Sequence, residues 1–288
     1  MRLKDICACA ILIVSLLMAP LLSHAQNSYL RVGGGYALGA LKTDWTDLYP
    51  FMGSPSSETT KIDAFSLGQG FHAGGAYGYK INDHLGVELG ISYFRGSQQY
   101  FDTRLIMLDF EESEDGRPPT IEEGNLRRGF EAKVWQLTPA LVLEAGFEKL
   151  NPYGRLGLVV GVGTIEQSVD AEFPSLVLQS RQERTGGVHL GIAAGLGVQY
   201  HLSDRWSLYA ECTFIGMEMT PEKGLTIQQE VNGVDQVDDL PPNIREVIYT
   251  DDYLEYTDQD DPQAPRREPR TTFPMSSIGL HVGAMLRF

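Results

Sequence analysis

The feature that most constrains the fold is a two-residue alternation that characterises eight separate segments of the chain. In the last segment, Ile278, Leu280 and every second residue to Phe288 are apolar. The residues between them are glycine, histidine, methionine and arginine. Side chains of a β-strand point alternately to its two faces, so this pattern predicts strands whose faces meet different surroundings. The predicted strands are Ser28–Ala40, Ser66–Ile81, Leu85–Tyr100, Glu131–Ala145, Pro152–Thr164, Gly187–Leu202, Trp206–Glu218 and Pro274–Phe288.

The connections between these segments alternate in length. Three of them are short: Asn82–His84, Gly146–Asn151 and Ser203–Arg205. Four of them are long: Leu41–Phe65, Phe101–Phe130, Ile165–Gly186 and Met219–Phe273. Short turns on one rim and long loops on the other are typical of bacterial outer-membrane barrels. The sequence therefore predicts an all-β fold, an eight-stranded antiparallel up-and-down transmembrane β-barrel with short periplasmic turns and long extracellular loops.

Glycines on the polar face favour a membrane barrel over the alternative, a soluble barrel or sandwich. Gly191, Gly195 and Gly197 alternate with the apolar Leu190 and Leu196. In a soluble fold these glycines would lie on the solvated face, where they only weaken strands. The lumen of eight strands barely holds side chains, so inward glycines would leave room there for larger polar groups. We expect lipid on the apolar face and an interfacial girdle formed by aromatic residues near strand ends: Tyr29, Tyr79, Tyr153, Tyr200, Trp206 and Phe288.

The N-terminus has the pattern of a secretory signal peptide. Basic residues precede the apolar stretch Cys7–Leu22, and a small-residue cleavage pattern ends at Ala25. We expect residues 1–25 to be a cleaved signal and residues 26–288 to be the barrel; the alternative is an N-terminal anchor. Export with Cys212 as the one cysteine after the signal leaves no internal disulfide to stabilise the domain. The net charge of −15 argues against a nucleic-acid partner.

The last strand and two turns resemble those of a known family. The terminal strand is similar to the C-terminal strands of outer-membrane barrels, whose assembly signal would here comprise Leu280, Val282, Ala284, Leu286 and Phe288. The stretches Tyr79–Gly90 and Tyr200–Glu211 resemble strand–turn–strand repeats of OmpA-like and OmpW-like small barrels, especially those of Bacteroidetes-type bacteria. The resemblance implies a location in the outer membrane. It also implies partners: lipid and lipopolysaccharide, and during biogenesis the barrel-assembly machinery and periplasmic chaperones.

Charged residues recur on the inward face near the short-turn ends of the strands. Parity places seven of them in the lumen, with His201 nearby: Arg31, Lys80, Glu88, Glu144, Arg155, Glu211 and Arg287. Buried charges are costly unless they are paired, so we expect an ion-pair network that fills the periplasmic half of the barrel. Such a network could be the polar core of an inside-out protein, or it could be a gate or selectivity filter.

The sequence shows no arrangement typical of an enzyme or a metal site. Some small outer-membrane barrels are lipid-modifying enzymes with an outward-facing histidine and a serine nucleophile, but parity points His281 inward, with no serine two residues on. The other histidines of the expected barrel are scattered: His72, His84, His189 and His201. The long loops are rich in aspartate and glutamate but lack the spacing of a calcium loop. We expect no cofactor, and solvated loops in which Leu176–Gln179 and Ile244–Tyr256 extend strands above the membrane.

These observations leave three functional hypotheses. The favoured one is a non-enzymatic barrel with a plugged lumen and a structural or surface-interaction role. The second is a narrow channel for small or hydrophobic solutes, which the glycine-rich lumen and the resemblance to OmpW-like barrels support. The third and weakest is a membrane-embedded lipid-modifying enzyme, for which the sequence offers no site.

Overall fold

The computed structural model describes residues 27–44, 64–109, 120–251 and 261–288. The predicted signal peptide, residues 1–25, lies outside these ranges. Seventeen strands occur in the described residues: β1 Ser28–Gly39, β2 Thr43–Asp44, β3 Ala64–Phe65, β4 Gly70–Lys80, β5 Leu85–Gly96, β6 Gln99–Asp109, β7 Thr120–Glu144, β8 Leu150–Glu172, β9 Val177–Thr185, β10 His189–His201, β11 Trp206–Met219, β12 Lys223–Val231, β13 Val234–Asp235, β14 Glu246–Thr250, β15 Arg266–Pro269, β16 Phe273–Pro274 and β17 Ser277–Arg287. A 3₁₀ turn spans Val237–Asp239 and one helical turn spans Pro242–Arg245.

Eight of these strands close into a ring by antiparallel pairing. The order around the ring is β1–β4–β5–β7–β8–β10–β11–β17, and β17 pairs with β1. Val32, for example, lies opposite Gly75 on one side and Ala284 on the other. The predicted eight-stranded up-and-down barrel is confirmed. None of the helices in the described residues is long and apolar enough to cross a membrane.

The two faces of the strands have the polarity that the alternation predicts. Leu190 and Leu280 on the outside are 73% and 71% exposed, whereas Arg31 and Glu211 on the inside are 3% and 3% exposed. A soluble protein would bury the leucines and expose the charges. The barrel is therefore inside-out, with an apolar wall toward lipid and its polar groups in the lumen.

The aromatic girdle is only partly as predicted. Tyr200, Trp206 and Phe288 lie on the outside and are exposed, as an interfacial position requires. Tyr29 and Tyr153 instead point into the lumen, where they are 1% and 4% exposed. The prediction considered only their closeness to strand ends, whereas strand parity decides which face a side chain occupies.

The three short turns are closed by side chains that bond to the backbone. Asn82 accepts hydrogen bonds from the backbone N–H groups of His84 and Leu85 at 2.9 and 2.8 Å. Asn151 does the same for Gly146, whose φ of +80° favours glycine. Ser203 accepts a bond from the backbone N–H that follows its turn. Asparagine and serine commonly form such local bonds, so the tight periplasmic rim follows from the sequence.

The predicted extracellular loops are more ordered than expected. Strands β7 and β8 have 25 and 23 residues, about twice what a lipid-spanning strand needs. Their outer halves pair with each other and are flanked by β6 and β9, and β12, β14 and β15 continue this sheet beyond the lipid-facing wall. The expected strand extensions near Leu176–Gln179 and Ile244–Tyr256 correspond to β9 and β14, and residues 252–256 of the second lie outside the described residues. The predictions of loops at Phe101–Phe130 and Ile165–Gly186 were therefore wrong in large part.

An apolar layer fills the lumen toward the extracellular side. It includes inward side chains of the wall and of two inserted segments, residues 65–67 and 273–276. The buried members are Phe65, Leu67, Phe94, Phe101, Phe130, Ala132, Val134, Val159, Ile165, Met217, Met219, Phe273 and Met275. Phe130 lies between Phe65 and Phe273, with ring centroids 5.5 and 6.0 Å away.

Candidate functional site

Four charged side chains form a closed ionic cluster across the lumen. They are Arg31, Glu88, Arg155 and Glu211, which we call the upper quartet. Around the ring, β1, β5, β8 and β11 are every second strand, so the four side chains come from alternating strands. Their charges alternate as well, positive then negative, so each cation has a carboxylate on both sides.

The distances show that the upper quartet is continuous. Arg31 lies 3.3 Å from Glu88 and 3.0 Å from Glu211. Arg155 lies 3.2 Å from Glu88 and 3.1 Å from Glu211. The Nε–Oε2 contact of Arg155 with Glu88 is an ion pair without hydrogen-bond geometry. The side chains of Arg31, Glu88 and Glu211 are no more than 4% exposed, and such burial requires close pairing of this kind.

Three tyrosines complete the coordination of this cluster. The Tyr29 hydroxyl donates to Glu88 at 2.9 Å, and Arg31 donates to the Tyr153 hydroxyl at 3.2 Å. The guanidinium of Arg31 also lies over the Tyr209 ring, 4.0 Å from its centroid. None of the three was predicted as a lumen residue from the sequence. The signal was available, since Tyr29 and Arg31, like Tyr153 and Arg155, are two residues apart on one strand and share a face.

Glycines on the intervening strands make space for these large side chains. A Cβ atom on Gly78 would lie 2.1 Å from the Tyr29 ring, and one on Gly197 would lie 2.6 Å from the Tyr153 ring. A Cβ atom on Gly195 would lie 2.9 Å from the carboxyl carbon of Glu211. The lumen therefore alternates large charged residues with glycine from strand to strand.

The other four ring strands contribute a second layer at their periplasmic ends. We call it the lower quartet: Lys80, Glu144, His201 and Arg287. Each is the last residue of its strand. Lys80 forms an ion pair with Glu144, which also accepts a hydrogen bond from Asn151. Arg287 contacts Gln199 and His201, both at 3.4 Å, and forms no ion pair with any residue that the structure describes. The seven charges predicted in the lumen thus form one quartet, one separate pair and one arginine without a carboxylate.

A small polar chamber lies between the upper quartet and the apolar layer. It is a cavity of about 80 Å³ whose wall includes Gln136, Arg155 and Glu211. His72 and His281 stack in it with ring centroids 4.7 Å apart, and Nε2 of His72 lies 3.0 Å from Oε1 of Gln136. A polar space of this size can hold a few water molecules.

One serine–histidine contact occurs in the described part of the chain, although the sequence indicated no such pair. Oγ of Ser207 lies 2.7 Å from Nδ1 of His201. The far nitrogen of His201 faces Arg287, a cation, where a catalytic histidine would need a carboxylate or carbonyl acceptor to orient it. Ser207 is also 1% exposed, so it is closed to a lipid substrate. No group of three or more metal-ligating residues comes together in the described parts of the chain.

The predicted assembly signal lies along the outer face of β17. Leu280, Val282 and Phe288 are 71%, 63% and 54% exposed, and Ala284 and Leu286 are partly exposed on the same face. This placement leaves the side chains in contact with lipid once the barrel is inserted. Recognition of the strand by the assembly machinery stays a prediction.

A closed ring of antiparallel strands with lipid-facing leucines and a charged lumen defines an outer-membrane β-barrel protein. Residues 9–233 match the outer membrane protein beta-barrel domain family, and the chain belongs to that family. The predicted location in the outer membrane is thereby confirmed, whereas the Bacteroidetes-type affiliation stays a prediction.

Relatives and solved structures resemble the chain at lower similarity. An uncharacterized protein of Brucella abortus (strain 2308) is 28% identical over 155 residues, which are 52% of this chain and 53% of that protein. The chain thus spans about half the length of the curated relatives it matches. The attachment invasion locus protein Ail of Yersinia pestis is 14% identical with a TM-score of 0.33, covering 91% of this chain and 99% of Ail. CarO of Acinetobacter baumannii is 11% identical with a TM-score of 0.29, covering 90% and 98%. The outer membrane protease OmpT of Escherichia coli is 7% identical with a TM-score of 0.30, covering 92% and 97%.

Proposed function

We propose that this protein is a non-enzymatic outer-membrane barrel with a closed lumen and a structural or surface-interaction role. The observation that carries the proposal is a lumen occupied at two successive levels. The upper quartet crosses it on the periplasmic side, and the apolar layer fills it on the extracellular side.

The upper quartet opposes ion passage because its charges are already satisfied. An ion that enters must lose water and displace an arginine or glutamate from a partner at about 3 Å. Buried pairs are strongly destabilised when one partner is lost, typically by about 3–5 kcal/mol. The neutral sum of the quartet also offers no net attraction to either sign of ion.

The apolar layer opposes passage by a different mechanism, the exclusion of water. Phe65, Phe130 and Phe273 are 0% exposed. The inserted segments are held by backbone bonds, such as Leu67 N–H to the Pro274 carbonyl at 2.8 Å and Met275 N–H to the Met217 carbonyl at 2.9 Å. A hydrophobic constriction without water is a barrier to ions.

Because the lumen is closed in this proposal, the extracellular sheet is the part of the protein that contacts other molecules. That sheet extends beyond the wall through β6, β9, β12, β14 and β15. Its outward charges are available to partners in the medium, and the lipid-facing wall below it contacts outer-membrane lipid and lipopolysaccharide. We include the barrel-assembly machinery and periplasmic chaperones as partners during biogenesis.

The chamber supports a second candidate function, a narrow channel for small solutes. A polar cavity of about 80 Å³ in mid-barrel is what a conduction path would use between two gates. The channel then requires both closures to open together.

Single-channel conductance of the refolded protein in a planar bilayer tests the proposal. We expect no channel openings from folded wild-type protein. We expect none from the charge-balanced variant Arg155→Ala, Glu211→Ala either, because the apolar layer still closes the lumen. The matched control, Arg95→Ala, Glu131→Ala, removes an ion pair of 2.8 Å on the outside of the barrel. Steady ion-selective openings of wild-type protein would reject the closed lumen and support the channel.

Mass spectrometry of lipids tests the proposal that the protein is not an enzyme. Lipopolysaccharide and phospholipid incubated with the refolded protein should keep their masses in mass spectrometry. A mass change that is lost in Ser207→Ala but kept in Ser203→Ala would show that the buried serine–histidine pair is catalytic.

A further inference from the structure

The lower quartet is one negative charge short of the upper quartet. The upper quartet has two arginines and two glutamates, whereas the lower one has Lys80, Arg287, one glutamate and His201. Lys80 is neutralised by Glu144. Among the described residues Arg287 forms no ion pair, although each of the other three lumen cations has a carboxylate within 3.3 Å.

Hydrogen-bond donors around Arg287 are also left without acceptors. Nε of Arg287 and Nε2 of Gln199 are buried, and neither has a partner in the described structure. Gln199 is 1% exposed, and its Oε1 already accepts from Nη2 of Arg287 at 3.4 Å. Buried donors without acceptors cost free energy. Two such donors beside a cation without an ion pair favour an acceptor that carries negative charge.

The position allows that acceptor to come from the periplasm. Arg287 ends β17 and His201 ends β10, so both lie at the rim of short turns, and both are partly exposed. Lys80 does not compete for an incoming anion because it already binds Glu144. A guanidinium fork matches the two oxygens of a carboxylate or phosphate, and an amide N–H₂ beside it supplies a further donor.

We infer that Arg287, with Gln199 and His201 beside it, is an oxyanion-binding site at the periplasmic mouth of the barrel. Its ligand is a small carboxylate or phosphate group that supplies the fourth charge of the lower quartet. The site is independent of whether the lumen conducts, because it lies at the rim of short turns, on the periplasmic side of the upper quartet.

Gln199→Glu is the variant that tests this inference most sharply. It places a carboxylate of nearly the same shape against Arg287 and so occupies the site from within the chain. Gln179→Glu adds the same charge at an exposed position of β9 and is the matched control.

The measurement is an NMR titration of the ¹⁵N-arginine-labelled protein, refolded in micelles. The titrants are sodium acetate and sodium phosphate, and sodium chloride at equal ionic strength and pH is the control. The Nε–H signal of Arg287, assigned by its loss in Arg287→Lys, is expected to shift and saturate with an oxyanion but not with chloride. The anion whose titration saturates at the lower concentration, acetate or phosphate, identifies the group that the site prefers. Gln199→Glu should lose the saturable shift, and Gln179→Glu should keep it.

Two results would overturn the inference. The first is an Arg287 signal that changes no more with either oxyanion than with chloride, which would mean that water satisfies the site. The second is a saturable shift that persists in folded Gln199→Glu. The wild-type titration is decisive by itself if a variant does not refold.

Discussion

At the scale of single residues, the lumen is organised by the pairing of large charged side chains with glycine. Strand parity places the seven predicted charges inward, as the structure shows for the buried Arg31, Glu88 and Glu211. The sequence could not indicate which charges would meet, because the pairs join residues up to 180 positions apart. It also could not show that Arg287 forms no ion pair among the described residues, because that depends on where the three lumen glutamates reach.

Removing one carboxylate of the upper quartet should destabilise the barrel strongly. Glu88→Gln leaves Arg31 and Arg155 facing each other with one counter-charge fewer, for an expected loss of about 3–5 kcal/mol. Urea unfolding in lipid vesicles measures this loss of unfolding free energy. Asp102→Asn, which breaks the exposed ion pair with Arg127, should change little, since exposed pairs contribute at most about 1 kcal/mol. An equal loss in both variants would refute the account of the quartet.

The glycines of the lumen should differ in their tolerance of a methyl group. Gly78→Ala places a Cβ atom 2.1 Å from the Tyr29 ring, whereas Gly90→Ala meets nothing closer than 3.5 Å. Overpacking typically costs about 1–3 kcal/mol, so Gly78→Ala should lower the urea midpoint and Gly90→Ala should leave it almost unchanged. If Gly78→Ala unfolds like wild-type protein, the tyrosine is not held where the structure has it.

At the scale of elements, the strands of the barrel wall were predictable and those above the membrane were not. A lipid-facing strand alternates apolar residues with glycine or polar ones, which is a clear signal. Above the lipid the outer face meets water, so charged side chains are exposed there, such as Asp102 on β6, Arg181 on β9 and Lys223 on β12. Polar residues on both faces of β9 made that segment resemble a loop. The inserted segments at Phe65 and Phe273 were missed for a related reason, since single apolar residues in a polar stretch have no periodicity.

The apolar layer should stabilise the extracellular half of the molecule. Phe130→Ala removes a side chain that is 0% exposed and packs between two other phenylalanines. Such truncations typically cost about 3–5 kcal/mol. Ile227→Ala on β12, where the isoleucine is 41% exposed, should cost far less in the same urea titration. Similar losses would mean that the layer is not a packed core.

The terminal strand should matter for assembly in the cell more than for folding in vitro. Phe288→Ala is expected to reduce the heat-modifiable, membrane-inserted fraction in cell envelopes, while the purified variant still refolds in micelles. Phe71→Ala removes another outward phenylalanine, 68% exposed on β4, and should assemble normally. Normal assembly of Phe288→Ala in cells would remove the support for an assembly signal in β17.

At the scale of the whole molecule, the barrel is a stack of layers with different chemistry. From the periplasm upward they are the lower quartet, the upper quartet, the polar chamber and the apolar layer. The ring of eight strands and its inside-out polarity followed from the sequence. The division of the charges into two levels did not, because strand parity gives the face of a side chain and not its height in the lumen.

The measurement that tests the closed lumen most directly is conductance of variants that remove the two closures singly and together. The variants are Arg155→Ala, Glu211→Ala for the quartet and Phe130→Ala, Phe273→Ala for the apolar layer. Because the two closures lie in series, we expect no current from either double variant. We expect open-channel currents only when all four substitutions are combined. Steady currents from either double variant alone would show that one layer is no barrier, and currents from wild-type protein would contradict the account altogether.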